Sequence, residues 1–232
     1  MQEQLRAQIL TDPPKFHFWH GKHSAGGFLN SDFEDFDELL KLLPPGAESR
    51  NFIETGAGLS TLWFLANEFR VVSFTLEKIA DAVNGYLRDG YPELAGQWTC
   101  FTGKSERNLV PFTNGEKQDA FDIALIDGNH AIATVFADYV GLNLCLKKGG
   151  LLIVDDVRLP GPRLLDQLLM QLTDDWEHVW TQERGKWKCY RKTTDADVRI
   201  GNCKEFSFYV PPPGQRSLLR RVKTKAGKLL GL

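Results

Sequence analysis

No apolar run in this sequence approaches the roughly 18 residues that a membrane-spanning helix needs, so no such helix is expected. The opening residues, MQEQLRAQIL, lack the basic and long apolar regions of a secretory signal. Cysteine is scarce and scattered: Cys100, Cys145, Cys189 and Cys203 never form a CxxC pair. That spacing argues against a disulfide framework or a structural zinc site, and points to a reducing, cytoplasmic compartment. Positive charge is not in excess either. A formal net charge of -2 gives no support for a general nucleic-acid binder. No internal repeat is visible.

What is present is an ordinary globular composition, 42% hydrophobic and 25% charged over 232 residues, which suits one domain with added segments. Residues 1–47 read as an N-terminal extension or lid. They hold a polar start, an aromatic and histidine-rich patch (FHFWHGKH), the Gly26-Gly27 pair and an acidic amphipathic helix (DFEDFDELLKLL) closed by Pro44-Pro45-Gly46. His17, His20 and His23 are badly spaced for a shared metal. On a helix His17 and His23 point about 120° apart, and on a strand His20 faces away from the other two. Phe16, Phe18 and Trp19 read as packing or as a substrate-facing surface, and the glycine pair as a hinge.

From residue 48 to 193 strand and helix patterns alternate. NFIET, VVSFTLE, QWTCFTG, FDIALID and LLIVDDV read as strands; LSTLWFLANEF, IADAVNGYLRD, TVFADYVGLNLCL and RLLDQLLMQL read as helices, the third stopped by Lys147-Lys148-Gly149-Gly150. Such alternation implies a parallel sheet covered on both faces. EHVWTQERGKWKCYRK then reads as a hairpin turning at Arg184-Gly185. Residues 194–232 form a C-terminal extension in which VPPPGQ is a linker. Residues 216–232 carry six basic and no acidic residues, a solvated terminus or a weak membrane-surface or partner contact.

The turn in NFIETGAGLST carries the chemistry. Gly56 and Gly58 have no Cβ to keep a ligand from the backbone. A carboxylate at the end of the next strand, Glu77, suits the two hydroxyls of a ribose, so the ligand contains a nucleoside. A dinucleotide fingerprint would place glycine where Thr61 stands, and Glu54 would repel a pyrophosphate. An ammonium or a cation suits Glu54 better, although the same carboxylate could simply cap the helix. The alternatives are an NAD-dependent oxidoreductase and a non-catalytic binding or interaction module.

Glu54-Thr55-Gly56-Ala57-Gly58 resembles the first motif, (D/E)-x-G-x-G, of the class I methyltransferases, and Glu77 matches their ribose-binding acid. The resemblance implies a Rossmann-like α/β fold: a mostly parallel seven-stranded sheet with a terminal antiparallel hairpin and helices on both faces. It also implies S-adenosylmethionine as cofactor, bound by Glu54, Gly56, Ala57, Gly58, Thr61, Glu77, Ser105 and Asp127.

IDGNH followed by LKKGGLLIVDDV is similar to the metal-dependent O-methyltransferases of the family-24-like and macrocin-like groups. By that resemblance Asp127, Asp155 and Asp156 would hold Mg²⁺ against an acceptor hydroxyl on a small molecule or glycan. The same aspartates could instead order their own loops. Two positions depart from the pattern. Asn129 replaces an aspartate often acting as base, which leaves His130 beside Asp127 as the catalytic candidate. Lys104 replaces an acid that contacts adenine, which leaves Ser105 or backbone. Both departures keep the non-catalytic alternative open.

Overall fold

The twelve residues of Pro160–Gln171 form a helix and the five of Trp98–Thr102 a strand, as their patterns suggest, but the order of the sheet is fixed by pairing far along the chain. A computed structural model describes residues 1–19, 22–24, 26–44, 50–113 and 119–195. The chain runs α1 (Gln2–Thr11), β1 (His17–Trp19), β2 (Lys22–Ser24), α2 (Asn30–Leu40), β3 (Arg50–Thr55) and α3 (Leu59–Ala66). It continues through β4 (Phe69–Thr75), α4 (Glu77–Gly90), α5 (Pro92–Ala95), β5 (Trp98–Thr102), α6 (Ser105–Thr113) and β6 (Phe121–Ile126). Then come α7 (Ile132–Cys145), β7 (Leu146–Val154), α8 (Pro160–Gln171), β8 (Trp176–Thr181) and β9 (Lys188–Lys192).

The main sheet has seven strands in the order β5-β4-β3-β6-β7-β9-β8. Its first five strands are parallel, and the closing β8–β9 hairpin is antiparallel, as expected from the sequence. β1 and β2 form a separate two-stranded sheet. Residues Met1–Asp197 make one compact unit; a second, Val198–Leu232, lies outside the described residues, as do the basic tail, His20 and Cys203. No helix among the described residues is long and apolar enough to cross a membrane.

Alternation along β3 assigns its two faces. Phe52 stacks on Phe64 of α3, with ring centroids 3.7 Å apart, and Glu54 points the same way. Thr55 points to the opposite face, which α7 covers. Both faces are therefore dry, as a central parallel strand requires.

Several details differ from expectation. The polar start is a helix: α1 buries Leu5 and Ile9, and Arg6 places its guanidinium 4.6 Å from the Trp63 ring while reaching Asp37 and Asn67. Its two buried positions were too few to show as a stripe. α6 was likewise unannounced, with Pro111 inside it. The second strand ends at Thr75, so Glu77 opens α4 instead of closing β4. Lys147-Lys148-Gly149-Gly150 does not separate helix from strand. Leu146 already pairs with Phe121, and the four residues form an irregularity before Leu151 pairs with Ile123. The cysteines at 100, 145 and 189 are free, and burial pushes the Cys145 thiol up to about 12, which leaves it unreactive.

The extension is fastened to the terminal hairpin by one buried carboxylate. Asp32, 0% exposed, accepts from the Leu29 N–H at 2.6 Å, Arg184 Nη2 at 2.9 Å and Trp187 Nε1 at 3.0 Å. Asp32→Ala is expected to lower stability by about 3 kcal/mol, because it orphans a buried indole N–H and uncaps α2. Urea denaturation of the variant checks this; a loss below about 1 kcal/mol would mean the pairing behaves like a surface ion pair.

Candidate active site

The ends of the central strands are drawn level by hydrogen bonds that continue the ladder past each last residue. Gly56 N–H donates to Phe74 O at 2.9 Å, Asp127 N–H to Thr55 O at 3.0 Å and Asp155 N–H to Ile126 O at 3.0 Å. The glycine turn, Asp127 and Asp155 therefore sit side by side at the carboxyl edge, where open α/β sheets bind ligands. The contact is close. A methyl group built at Gly56, whose φ is +98°, would lie 2.5 Å from the Asp127 carbonyl oxygen. Glycine is needed here for the neighbouring strand as well as for any ligand.

Glu54 faces away from that edge. Its carboxylate, 1% exposed, accepts from Ser60 Oγ at 2.7 Å, Thr61 Oγ1 at 2.5 Å and Ser73 Oγ at 2.7 Å. Burial pushes its pKa up to about 7 against the pull of those three hydroxyls. Thr61 Oγ1 in turn accepts from the Gly58 N–H at 2.9 Å. The Glu54 and Thr61 side chains, read from the sequence as cofactor contacts, are hydrogen-bonded inside the protein, where they tie the turn to α3 and β4. Ala57 is buried within this turn. His17, from the extension, packs over it: a methyl group at Gly58 would lie 3.1 Å from His17 Nε2. Burial lowers the His17 pKa.

Glu77 is exposed at the start of α4, just past β4. Ser105 opens α6 past β5, but it is buried next to Asp138, whose carboxyl burial pushes up to about 6. Asp138, on α7, was missed by sequence reasoning because its spacing is that of an ordinary amphipathic helix.

At the chemical end, Asp127, His130 and Asp156 are half-buried and offer ligand atoms all within 4.8 Å of one another. His130 Nε2 is 3.4 Å from Asp156 Oδ2. Asp156 stands at φ +51°, a left-handed conformation that aspartate tolerates better than most residues, and it sits at the site. Asn129 is exposed and spends its Oδ1 on the Ala131 N–H at 2.8 Å, a loop-ordering turn that leaves no base role for it.

Asp155 does not join this group. It is 2% exposed and receives Lys186 Nζ at 2.8 Å. Burial and the adjoining Asp155 raise the Asp127 carboxyl well above the usual carboxylate range. The set of three aspartates implied for Mg²⁺ therefore does not fit as drawn: one member is taken by an ammonium, and a histidine nitrogen stands where Mg²⁺ would prefer oxygen. Lys186 was invisible to sequence reasoning, because nothing in GKWK distinguishes a buried lysine from a solvated hairpin lysine.

Comparison with known proteins agrees with this geometry. Residues 53–157 match the family described as a methyltransferase domain, family 24. No curated protein matches the sequence. Among solved structures, the chain resembles the O-methyltransferase TomG from Streptomyces achromogenes, involved in tomaymycin synthesis and in complex with SAM. Identity is 17%, coverage 83% of this chain and 89% of that one, and the TM-score 0.52. It also resembles the O-methyltransferase from Bacillus cereus in complex with SAH, at 18% identity, 82% and 90% coverage and a TM-score of 0.53. The matched stretch, residues 53–157, spans both the glycine turn and the acidic edge, and is similar to a methyltransferase domain.

Proposed function

We propose that the protein transfers a methyl group from S-adenosylmethionine to a hydroxyl oxygen of a small molecule or glycan. The observation that carries this reading is the contact between Gly56 and Asp127, which sets a nucleoside-type turn against a proton-handling cluster. The family match and the SAM- and SAH-bound neighbours support it. Backbone at Gly56, Ala57 and Gly58 lies against the methionine part, and Glu77 takes the ribose hydroxyls. Glu54 and Thr61 act by fastening the turn. Adenine falls to the segment before Ser105.

When bound, S-adenosylmethionine supplies an electrophilic methyl whose bond to sulfur breaks, with its electron pair leaving on sulfur, as the acceptor oxygen bonds to carbon. His130 accepts the proton of that hydroxyl, and Asp156 at 3.4 Å balances the charge the ring then carries. Asp127, at the same edge, orients the acceptor oxygen. No covalent bond to the protein is needed.

Calorimetric titration with S-adenosylmethionine, and separately with NAD, tests the reading. Saturable binding of the former is expected, weakened in Glu77→Ala. His130→Ala should retain that binding and lose about 10²–10⁴-fold in turnover, followed as S-adenosylhomocysteine release with phenolic and sugar acceptors. Binding of NAD without S-adenosylmethionine would overturn the proposal.

A further inference from the structure

The acidic edge holds three carboxylates, and the charge that answers them comes from the far end of the chain. Lys186 lies in the turn between β8 and β9, and its side chain is only 17% exposed. Its Nζ is 2.8 Å from Asp155 Oδ2 and 4.4 Å from the centre of the Phe28 ring. Gly27 leaves it room: a methyl group there would lie 2.9 Å from Nζ. Ammonium, ring and carboxylate thus come from three separate parts of the chain.

The turn that presents Lys186 is built from inside. Gln182, 1% exposed, accepts through Oε1 from the Arg184 N–H at 2.9 Å and the Lys186 N–H at 3.3 Å, and donates its own N–H to Trp187 O at 3.1 Å. The Lys186 carbonyl accepts from Val157 N–H at 2.9 Å, which ties the turn to the segment following Asp155-Asp156. A solvated hairpin lysine has no such scaffold.

We propose that Lys186 is the resident cation of the acidic edge, taking the charge-balancing place of a divalent metal beside Asp155. A lysine ammonium is a compact point charge with three donors, so it neutralises Asp155 while leaving Asp127, His130 and Asp156 to the acceptor. A metal drawing on Asp155 has to displace it. Lys186 is a positioning residue in this scheme. That methyl transfer then runs without a metal rests on the function proposed above; the charge replacement itself does not.

The experiment is calorimetric titration of chelator-treated, full-length protein with MnCl₂ and MgCl₂, for wild type, Lys186→Met and Lys186→Arg. The expected result is no saturable binding in wild type or Lys186→Arg, and Mn²⁺ affinity about tenfold or more higher in Lys186→Met, whose acidic edge has lost its cation. A purely structural lysine would give no such gain, and circular dichroism establishes that each variant is folded. Tight Mn²⁺ binding by wild type, which needs no variant, overturns the proposal, as does a folded Lys186→Met that gains nothing. Loss of S-adenosylmethionine binding in every protein would instead strike the methyl-transfer reading and leave the metal titrations standing.

Discussion

Gly56→Ala is expected to cost about 3 kcal/mol of stability and to abolish ligand binding in whatever remains folded. Two effects act together at this position. The backbone sits at φ +98°, which a residue with a Cβ rarely adopts, and the new methyl would meet the Asp127 carbonyl oxygen at 2.5 Å and its carbon at 3.1 Å. The obstacle is backbone in the neighbouring strand end, not a side chain that can swing aside. Relief requires the turn or the Asp127 loop to move, and a displacement of about 1 Å at a reacting group is enough to lose roughly 10²-fold in rate. Gly58→Ala is the control. The atom its methyl meets, His17 Nε2 at 3.1 Å, belongs to a side chain that can give way. Urea denaturation and S-adenosylmethionine titration of both variants measure the contrast. Wild-type stability and affinity in Gly56→Ala would show that the two strand ends do not press on each other.

The second large effect is a pH dependence. Burial raises the Glu54 carboxyl from its ordinary 4.5 to about 7, so across that window the folded protein keeps a proton that the unfolded chain releases. More protons on the folded state means that stability falls as pH rises from about 4.5 to 7, by about 3 kcal/mol in all, with the full contribution present only below the window. Asp138, raised to about 6 by burial, adds a loss of the same sign over its own, lower window. Glu54→Gln has no proton to release and can still accept from two of the three hydroxyls. The drop in unfolding free energy between pH 5 and pH 8 should therefore shrink by about 3 kcal/mol in that variant. An equal drop in both proteins would mean that Glu54 is ionised in its pocket throughout.

The sequence by itself determined the strands of the main sheet, the glycine turn between β3 and α3, and the aspartates that follow β6 and β7. Those signals are local. Runs of buried residues, glycine at a positive φ and carboxylates at strand ends are each written within about a dozen adjacent residues. The parallel sense of the first five strands of the main sheet and the antiparallel hairpin that ends it followed too, because strand–helix alternation favours parallel pairing. α1 was not legible, since two buried residues in ten make no periodic stripe. The directions of the site's side chains were not legible either. Glu54 turns inward because Ser73, 19 residues away, supplies a hydroxyl on the next strand. Asp155 leaves the acidic group because Lys186, 31 residues away, meets it. Asp32 binds Arg184 across 152 residues. A carboxylate's role depends on which donor or cation lies within about 3 Å of it, and that neighbour is chosen by tertiary packing. The chain's local pattern thus brought these acids to the ends of the strands, while the folded structure decided which of them stay open at that edge and which are already answered by a charge of the protein's own.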